Sequence, residues 1–291
     1  MRDAPHLPKL RRTIGNRPAR INPPPDDAHK YARPLAQRAI LRHEPSVMNP
    51  IVLIPSRLAA TRLPGKPLAD IHGRPMILHV LDRAREAGIG PVAVAAGDAE
   101  IAHAVQADGG TAVLTDPSLP RGTDRVHAAL SHLDPAGRHE VVVNLQGDLP
   151  TIPPAFIRAV LAPLAEPGID IATLVAPITS PEEAAASSVV KAACAFEGGR
   201  AVAPALYFSR AAIPWGEGPL WHHIGIYAFR RTALARFVAL PESPLERRES
   251  LEQLRALEAG MRIACARVSH APFGVDTPDD LERARRDLAP N

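Results

Sequence analysis

Residues 55–68 read PSRLAATRLPGKPL, and the fold is decided by how this stretch is understood. It follows a β-branched run, Ile51-Val52-Leu53-Ile54, that reads as a buried strand. Pro55, Pro64 and Pro67 lack amide donors and restrict the residue before each of them, so the stretch cannot be a regular helix. Gly65 lets the backbone approach a bulky anion, and the prolines stiffen the turn. Three cations, Arg57, Arg62 and Lys66, therefore occupy a rigid loop after a first strand. Basic side chains and free amides gathered there suit a triphosphate, although a solvated basic loop has the same composition. Neither GxxxxGK[ST] nor GxGxxG is present.

Strands and helices alternate from Ile51 onward. Apolar Ile77, Leu81 and Ala84 predict a helix over 75–87 that stops at Gly88. Further strands are predicted at 92–96, 111–114 and 141–145. Between them lie a helix capped by Asp98 and another over 123–133. This order implies an α/β fold, a mostly parallel sheet with helices on both faces. Ligands of such sheets gather beyond the carboxyl ends of the strands, where both 55–68 and Gln146-Gly147-Asp148 fall. After Pro150 a helix over 154–161 leads to strand-like runs at 169–178, 189–196 and 201–208. Without intervening helices these suggest a smaller, antiparallel β-rich lobe. A strand at 224–229 and a helix to Leu240 follow. The capping box Ser243-Pro244-Leu245-Glu246 predicts one helix running to Gly260, 262–268 the last strand, and Thr277 the cap of a final helix.

Composition narrows the function. The 291 residues carry a net charge of +3, but residues 1–47 alone hold ten Lys/Arg against four Asp/Glu and leave the remainder at −3. That first segment has eight prolines and no apolar period, so a disordered tail is expected, and the body of the chain is expected to begin at Met48. With 4% aromatic residues and an acidic body, nucleic acid is not the expected partner. No apolar run approaches the roughly 18 residues of a membrane span. Cys194 and Cys265 lack metal-ligand spacing and read as buried thiols of a reducing, cytoplasmic compartment.

Several polar residues stand where chemistry is done. Asp148, just past an apolar strand and beside Gly147, is placed either to hold Mg²⁺ against phosphate or simply to make a turn. Asp276 precedes a helix start, where an acid also favours the macrodipole. In Arg121-Gly122-Thr123-Asp124-Arg125 the glycine and helix-start amides could line a nucleotide pocket, or Thr123 could be a plain cap. His223, Gly225 and Tyr227 share one face of a strand, with room for a polyhydroxylated ligand or as a half-buried pair. Leu251, Leu254 and Leu257 form a buried stripe, so Glu252 and Gln253 point elsewhere. No Ser or Cys nucleophile with an adjacent base is evident.

Taken together, from about Asn49 to the C-terminus, these motifs resemble the sugar cytidylyltransferases, and within them the branch acting on 3-deoxy-manno-octulosonate (KDO). The resemblance rests on the 55–68 loop, QGD at 146–148, RGTDR at 121–125, YFSR at 207–210, HIGIY at 223–227, LEQLR at 251–255 and GVDTP at 274–278. It implies a nucleotide-diphospho-sugar transferase type of fold and CMP transfer from CTP to KDO for lipopolysaccharide synthesis, with pyrophosphate released. Arg57, Arg62 and Lys66 would hold the triphosphate, with Gly122 and Thr123 beside the nucleotide. Asp148 and Asp276 would carry Mg²⁺. Gln146, Arg210, His223, Tyr227, Glu252 and Gln253 would bind the sugar acid, in a homodimer formed through the lobe around 186–230. The sequence departs from the common pattern at Ser56, Ala60, Arg121 and Leu149, usually alanine, serine, serine and glutamate. Alternatives are a related acceptor, such as 8-amino-KDO or a nonulosonate, and a non-catalytic nucleotide-binding regulator. A chain beginning at Met48 should match the full chain in melting temperature and activity; loss of folding refutes a dispensable tail.

Overall fold

The first strand, β1 (Pro50–Ser56), is buried along its whole length, as a β-branched run covered on both faces must be. It belongs to a computed structural model that describes residues 48–59 and 62–289. The segment 1–47, expected to be disordered, lies outside the described residues, as does Ala60. A short hairpin of β2 (Asp70–Ile71) and β3 (Arg74–Pro75) precedes α1 (Met76–Ala87), which ends at Gly88 in the left-handed region, φ 63°. Then come β4 (Val92–Ala96), α2 (Ala99–Ala107), β5 (Thr111–Leu114), α3 (Gly122–Leu133) and β6 (Val141–Asn144). The strands β5, β4, β1 and β6 lie side by side in that order, all parallel.

Beyond β6 the pairing changes. After α4 (Pro154–Ala159) come β7 (Ile171–Pro177), α5 (Pro181–Ala185), β8 (Lys191–Cys194), β9 (Val202–Ser209) and β10 (Trp221–Arg230). Strand β10 inserts antiparallel between β6 and β7. The last strand, β11 (Ile263–Arg267), lies parallel to β7 and antiparallel to β9, with β8 outermost. The sheet is therefore mixed: its first four strands are parallel, and the direct β8–β9–β10 connections impose antiparallel neighbours on the rest. Strand β8 also meets β10 through Lys191 and His222, which closes β10, β7, β11, β9 and β8 into a ring. The strand-rich region extends the same sheet instead of building a second one.

Helices cover both faces. Val52 and Ile54 of β1 pack with Ile77, Leu81, Ile101 and Phe156 from α1, α2 and α4. Ile51 and Leu53 point the other way, toward Val126 and Leu130 of α3 and Phe237 of α6 (Arg231–Ala239). Each such side chain taken out of water contributes about 1.5–3 kcal/mol before chain entropy is counted. Cys265 is buried, while Cys194, which ends outermost β8, is only partly so. No helix among the described residues is long and apolar enough to cross a membrane.

Two local expectations fail. The helix predicted from Ser243 to Gly260 is broken into α7 (Pro244–Glu249) and α8 (Gln253–Glu258) by Ser250, at φ 54° and ψ 48°. The break is held by non-local bonds: Glu249 accepts from Ser209 Oγ at 2.8 Å and the Arg210 amide at 3.0 Å, while Arg210 Nε donates to the Glu249 carbonyl at 2.8 Å. Asp98 sits at the α2 N-cap position but makes no side-chain cap; its carboxylate instead accepts the Leu58 amide at 2.7 Å and anchors the start of the basic loop.

Asp134, at the end of α3, is 1% exposed. It accepts from the amides of Arg138 and His139 at 3.0 and 2.8 Å and from Arg231 Nη1 at 2.7 Å. Burial alone would raise its pKa, but these donors outweigh it and hold the carboxyl at about 2. Its stabilisation is therefore present above the ordinary value of 3.8 and is lost as pH falls toward 2. Asp134→Asn should lower the melting temperature at pH 7 by about 4–8 °C, from roughly 2 kcal/mol of charge-assisted bonding. The gap from the parent should close between pH 4 and pH 2; an unchanged gap refutes the assignment.

Candidate active site

At the carboxyl ends of β1 and β6 a cavity of about 430 Å³ brings together Arg57, Arg62, Lys66, Gly122, Gln146, Asp148 and Asp276. Two glycines permit the close approach of its walls. A Cβ on Gly97 would stand 2.9 Å from Arg125 Nη1 and 3.2 Å from Arg57 Cβ, and one on Gly147 only 3.0 Å from the Pro55 carbonyl oxygen.

Lys66 opens a 3₁₀ turn, Lys66–Leu68, behind Gly65 at φ 67°. Its Nζ donates to Asp148 Oδ2 and to Asp276 Oδ1, both at 3.0 Å, and Arg62 Nη2 donates to Asp276 Oδ2 at 2.8 Å. Burial lowers the Lys66 pKa, but the two carboxylates, Asp148 foremost, outweigh it and leave a net rise. Asp276 arrives here because the Val275 amide donates to the Asp148 carbonyl at 2.9 Å. Capping of α9 (Pro278–Asp287) falls to Thr277 and Asp280, which leaves the Asp276 carboxylate facing the two cations. Leu149, in contrast, is buried in the core.

Two hard carboxylate oxygens that converge on one cation fit a divalent metal. Among the described residues no cluster of three or more His, Cys, Asp or Glu is placed to hold a metal. With only two protein ligands, the remaining shell falls to water and phosphate oxygens, as is usual for Mg²⁺.

The other end of the cavity holds Ser56, Leu119, Arg121, Gly122 and Arg125. Arg125 is 1% exposed and donates to Thr115 Oγ1, the Asp116 carbonyl and the Leu119 carbonyl at 2.6, 3.1 and 3.4 Å. Desolvation, and then the charge of Arg57, lower its pKa. A buried guanidinium beside a second arginine makes this wall strongly electropositive. Arg125 is a site residue that sequence reasoning missed, although it closes the quoted RGTDR motif. Ser56 Oγ is buried there without a hydrogen-bond partner.

A hydrogen-bonded chain leads from this cavity to α8. Gln146 Nε2 donates to Asn144 Oδ1 at 3.2 Å, Asn144 Nδ2 to Thr123 Oγ1 at 3.3 Å, and Thr123 Oγ1 to Glu252 Oε1 at 2.5 Å. Burial raises the Glu252 pKa against the Thr123 bond.

The other expected sugar-side residues lie deeper or face away. His223 and Tyr227 are buried with ring centroids 5.5 Å apart, and His223 Nε2 is 3.0 Å from Thr173 Oγ1. Burial lowers His223 to about 3 and raises Tyr227, so both are neutral. Gln253 is not directed away from the core as expected; it is 4% exposed, with Nε2 unpartnered. Arg210 is committed to the Glu249, Ser187 and Ser250 carbonyls. None of these four lines the cavity.

Comparison with known proteins identifies the family. The model of a family described as cytidylyltransferase matches residues 51–263. A 3-deoxy-manno-octulosonate cytidylyltransferase of Rhodospirillum centenum is 66% identical over 242 residues, 83% of this chain and 94% of that protein. The enzyme of the same name from Paramagnetospirillum magneticum is 61% identical over 82% of this chain and 97% of its own length. A solved structure of CMP:2-keto-3-deoxy-manno-octonic acid synthetase complexed with CTP superposes with a TM-score of 0.76 at 40% identity, covering 83% of this chain and 98% of that one. This chain therefore belongs to the cytidylyltransferase family, on its 3-deoxy-manno-octulosonate branch.

Proposed function

We propose that the protein transfers CMP from CTP to the anomeric hydroxyl of KDO, releasing pyrophosphate, and does so with Mg²⁺. The observation that carries this is the meeting of Lys66 and Arg62 with Asp148 and Asp276 in one cavity at the strand edge. Arg57, Arg62 and Lys66 neutralise the triphosphate and then the departing pyrophosphate, which is the dominant demand of nucleotidyl transfer. Asp148 and Asp276 would hold Mg²⁺, which when bound would polarise the α-phosphate and favour ionisation of the attacking hydroxyl. Gly122 and Thr123 present the start of α3 to the nucleotide. The sugar hydroxyl adds to the α-phosphorus as the bond to the β-phosphate oxygen breaks, and its proton passes to solvent.

The sugar acid is assigned to the side of Gln146 and Glu252; His223, Tyr227, Gln253 and Arg210, which the resemblance also assigns to it, stand outside the cavity lining and would reach it only if the site closes over the substrate. Neutral His223 and protonated Tyr227 suit hydroxyl groups, which both donate and accept. The hydrogen-bonded chain through Asn144 and Thr123 would transmit the position of one substrate to the other. Leu206, 71% exposed, and Trp215, fully exposed, support a homodimer through the region around 186–230. The setting is the cytoplasm, where CMP-KDO is consumed in lipopolysaccharide synthesis.

Pyrophosphate release by the purified protein should require CTP, Mg²⁺ and KDO, each omitted in turn. Release with a different sugar acid alone changes the acceptor; tight CTP binding without release from any acceptor overturns the enzymatic reading. Asp148→Asn should lower turnover by about 10³-fold, a loss typical of removing charge that stabilises a transition state, with melting behaviour retained. Near-parental activity sinks its metal role.

A further inference from the structure

Asp98 does not line the cavity, yet it holds the loop that supplies Arg57, Arg62 and Lys66 to it. It stands at the N-cap position of α2 and makes no side-chain cap there. Its Oδ2 instead accepts the Leu58 amide at 2.7 Å, 40 residues away along the chain. The turn that carries Asp98 is pressed against that loop. The Gly97 amide donates to the Ser56 carbonyl at 2.8 Å, and a Cβ on Gly97 would stand 3.2 Å from Arg57 Cβ.

Leu58 is held from both sides. Its amide goes to Asp98, and its carbonyl accepts the Gly65 amide at 3.2 Å. The Lys66 amide then donates to the Leu63 carbonyl at 3.1 Å, and the Leu68 amide to the Gly65 carbonyl at 2.9 Å. These bonds close the base of the loop. Arg57 stands one residue before the clasp at Leu58, Arg62 within it, and Lys66 one residue after Gly65. Arg57 and Arg62 are exposed, so their side chains lose rotamer freedom when an anion engages them. A backbone already fixed at Leu58 and Gly65 adds nothing to that ordering cost. Committing the Asp98 carboxylate to the loop leaves the first amides of α2 without their customary acceptor, so helix stability does not explain the contact.

We propose that Asp98 is a positioning residue for triphosphate binding. It fixes the loop from outside the cavity, so that Arg57 and Lys66 have their spacing set before the nucleotide enters, and it touches no substrate. The Asp98 charge also acts on Arg125, raising a pKa that burial and then Arg57 lower. The two roles separate by chemistry: the loop needs an acceptor atom, whereas Arg125 responds to charge. This inference rests on the CTP-dependent activity proposed above.

The test measures calorimetric Kd for CTP and for pyrophosphate, KM for CTP and for KDO, and melting temperature in the parent, Asp98→Asn and Asp98→Ser. Asparagine keeps an acceptor oxygen at the same reach without the charge. Serine is as good a helix cap, but its side chain is shorter. Asp98→Ser should weaken CTP and pyrophosphate about tenfold, the weight of one amide–carboxylate hydrogen bond, with KM for KDO within about twofold of the parent. Asp98→Asn should hold both affinities within about threefold of the parent. Should the serine variant fail to fold, Asp98→Glu, which keeps the charge but displaces the acceptor, takes its place with the same expectation. A lowered melting temperature with CTP and pyrophosphate affinities unchanged marks a merely structural contact and overturns the proposal. So does equal weakening of CTP and KDO, which marks a general loosening. An asparagine variant as weak as the serine one assigns the effect to charge at Arg125 and overturns it too. A parent that neither binds nor turns over CTP defeats the functional reading itself, and shows this before any variant is compared.

Discussion

Two carboxylates in a partly enclosed cleft repel each other unless a cation stands between them, and Lys66 supplies that cation. Asp148 and Asp276 lie 82 and 210 residues from it along the chain. Three loops, each following a different part of the sheet, must therefore arrive together for any one of them to be electrostatically tolerable. The second half of the fold delivers the most distant of them: β11 runs parallel to β7, and the chain leaving it returns to lay the Val275 amide on the Asp148 carbonyl. An ion pair this accessible adds little net stability, on the order of 1 kcal/mol or less. Its weight lies in fixing where charge sits, with a geometry that a metal–triphosphate complex also demands.

The opposite wall is organised by polar bonds rather than opposed charges. The chain from Gln146 through Asn144 and Thr123 to Glu252 joins the end of β6, the start of α3 and the start of α8. Breaking α7 from α8 is part of the same design. A continuous helix would carry Glu249 past Ser209 and the Arg210 amide, and the Ser250 turn would not place Glu252 at the N-cap of α8, beside Thr123. Left-handed backbone at a serine is unfavourable, and several bonds to β9 hold it there.

Legibility in the sequence follows the range of the interactions. The strands of the first half were plain because a central parallel strand is apolar throughout, and β4 and β5 fall on their predicted bounds. The basic loop and Asp148 were plain because parallel strands present their carboxyl ends to ligand. The break at Ser250 was not, because the capping box at Ser243 and the leucine stripe are local signals, whereas Glu249 is held by a residue 40 positions away. Asp98 looked like a cap for the same reason: its actual partner, the Leu58 amide, is 40 residues distant. Burial of Gln253 ran against a rule that places amides outside, and no spacing in the sequence could show that β10 inserts between β6 and β7.

Net charge would have misdirected a reading of this site. The body of the chain carries −3, yet Arg57 and Arg125 approach each other across Gly97, and Arg62 and Lys66 lie on the same cavity. Arg57 has no ion-pair partner among the described residues, and Arg125 bonds only to oxygens of neutral groups. Burial makes the Arg125 cation costly, as its lowered pKa records. A fold retains that cost where an anion of higher charge offsets it, and a triphosphate is such an anion. Local field, focused between low-dielectric walls, and not the net charge of the body, is what an entering anion meets in such a cavity.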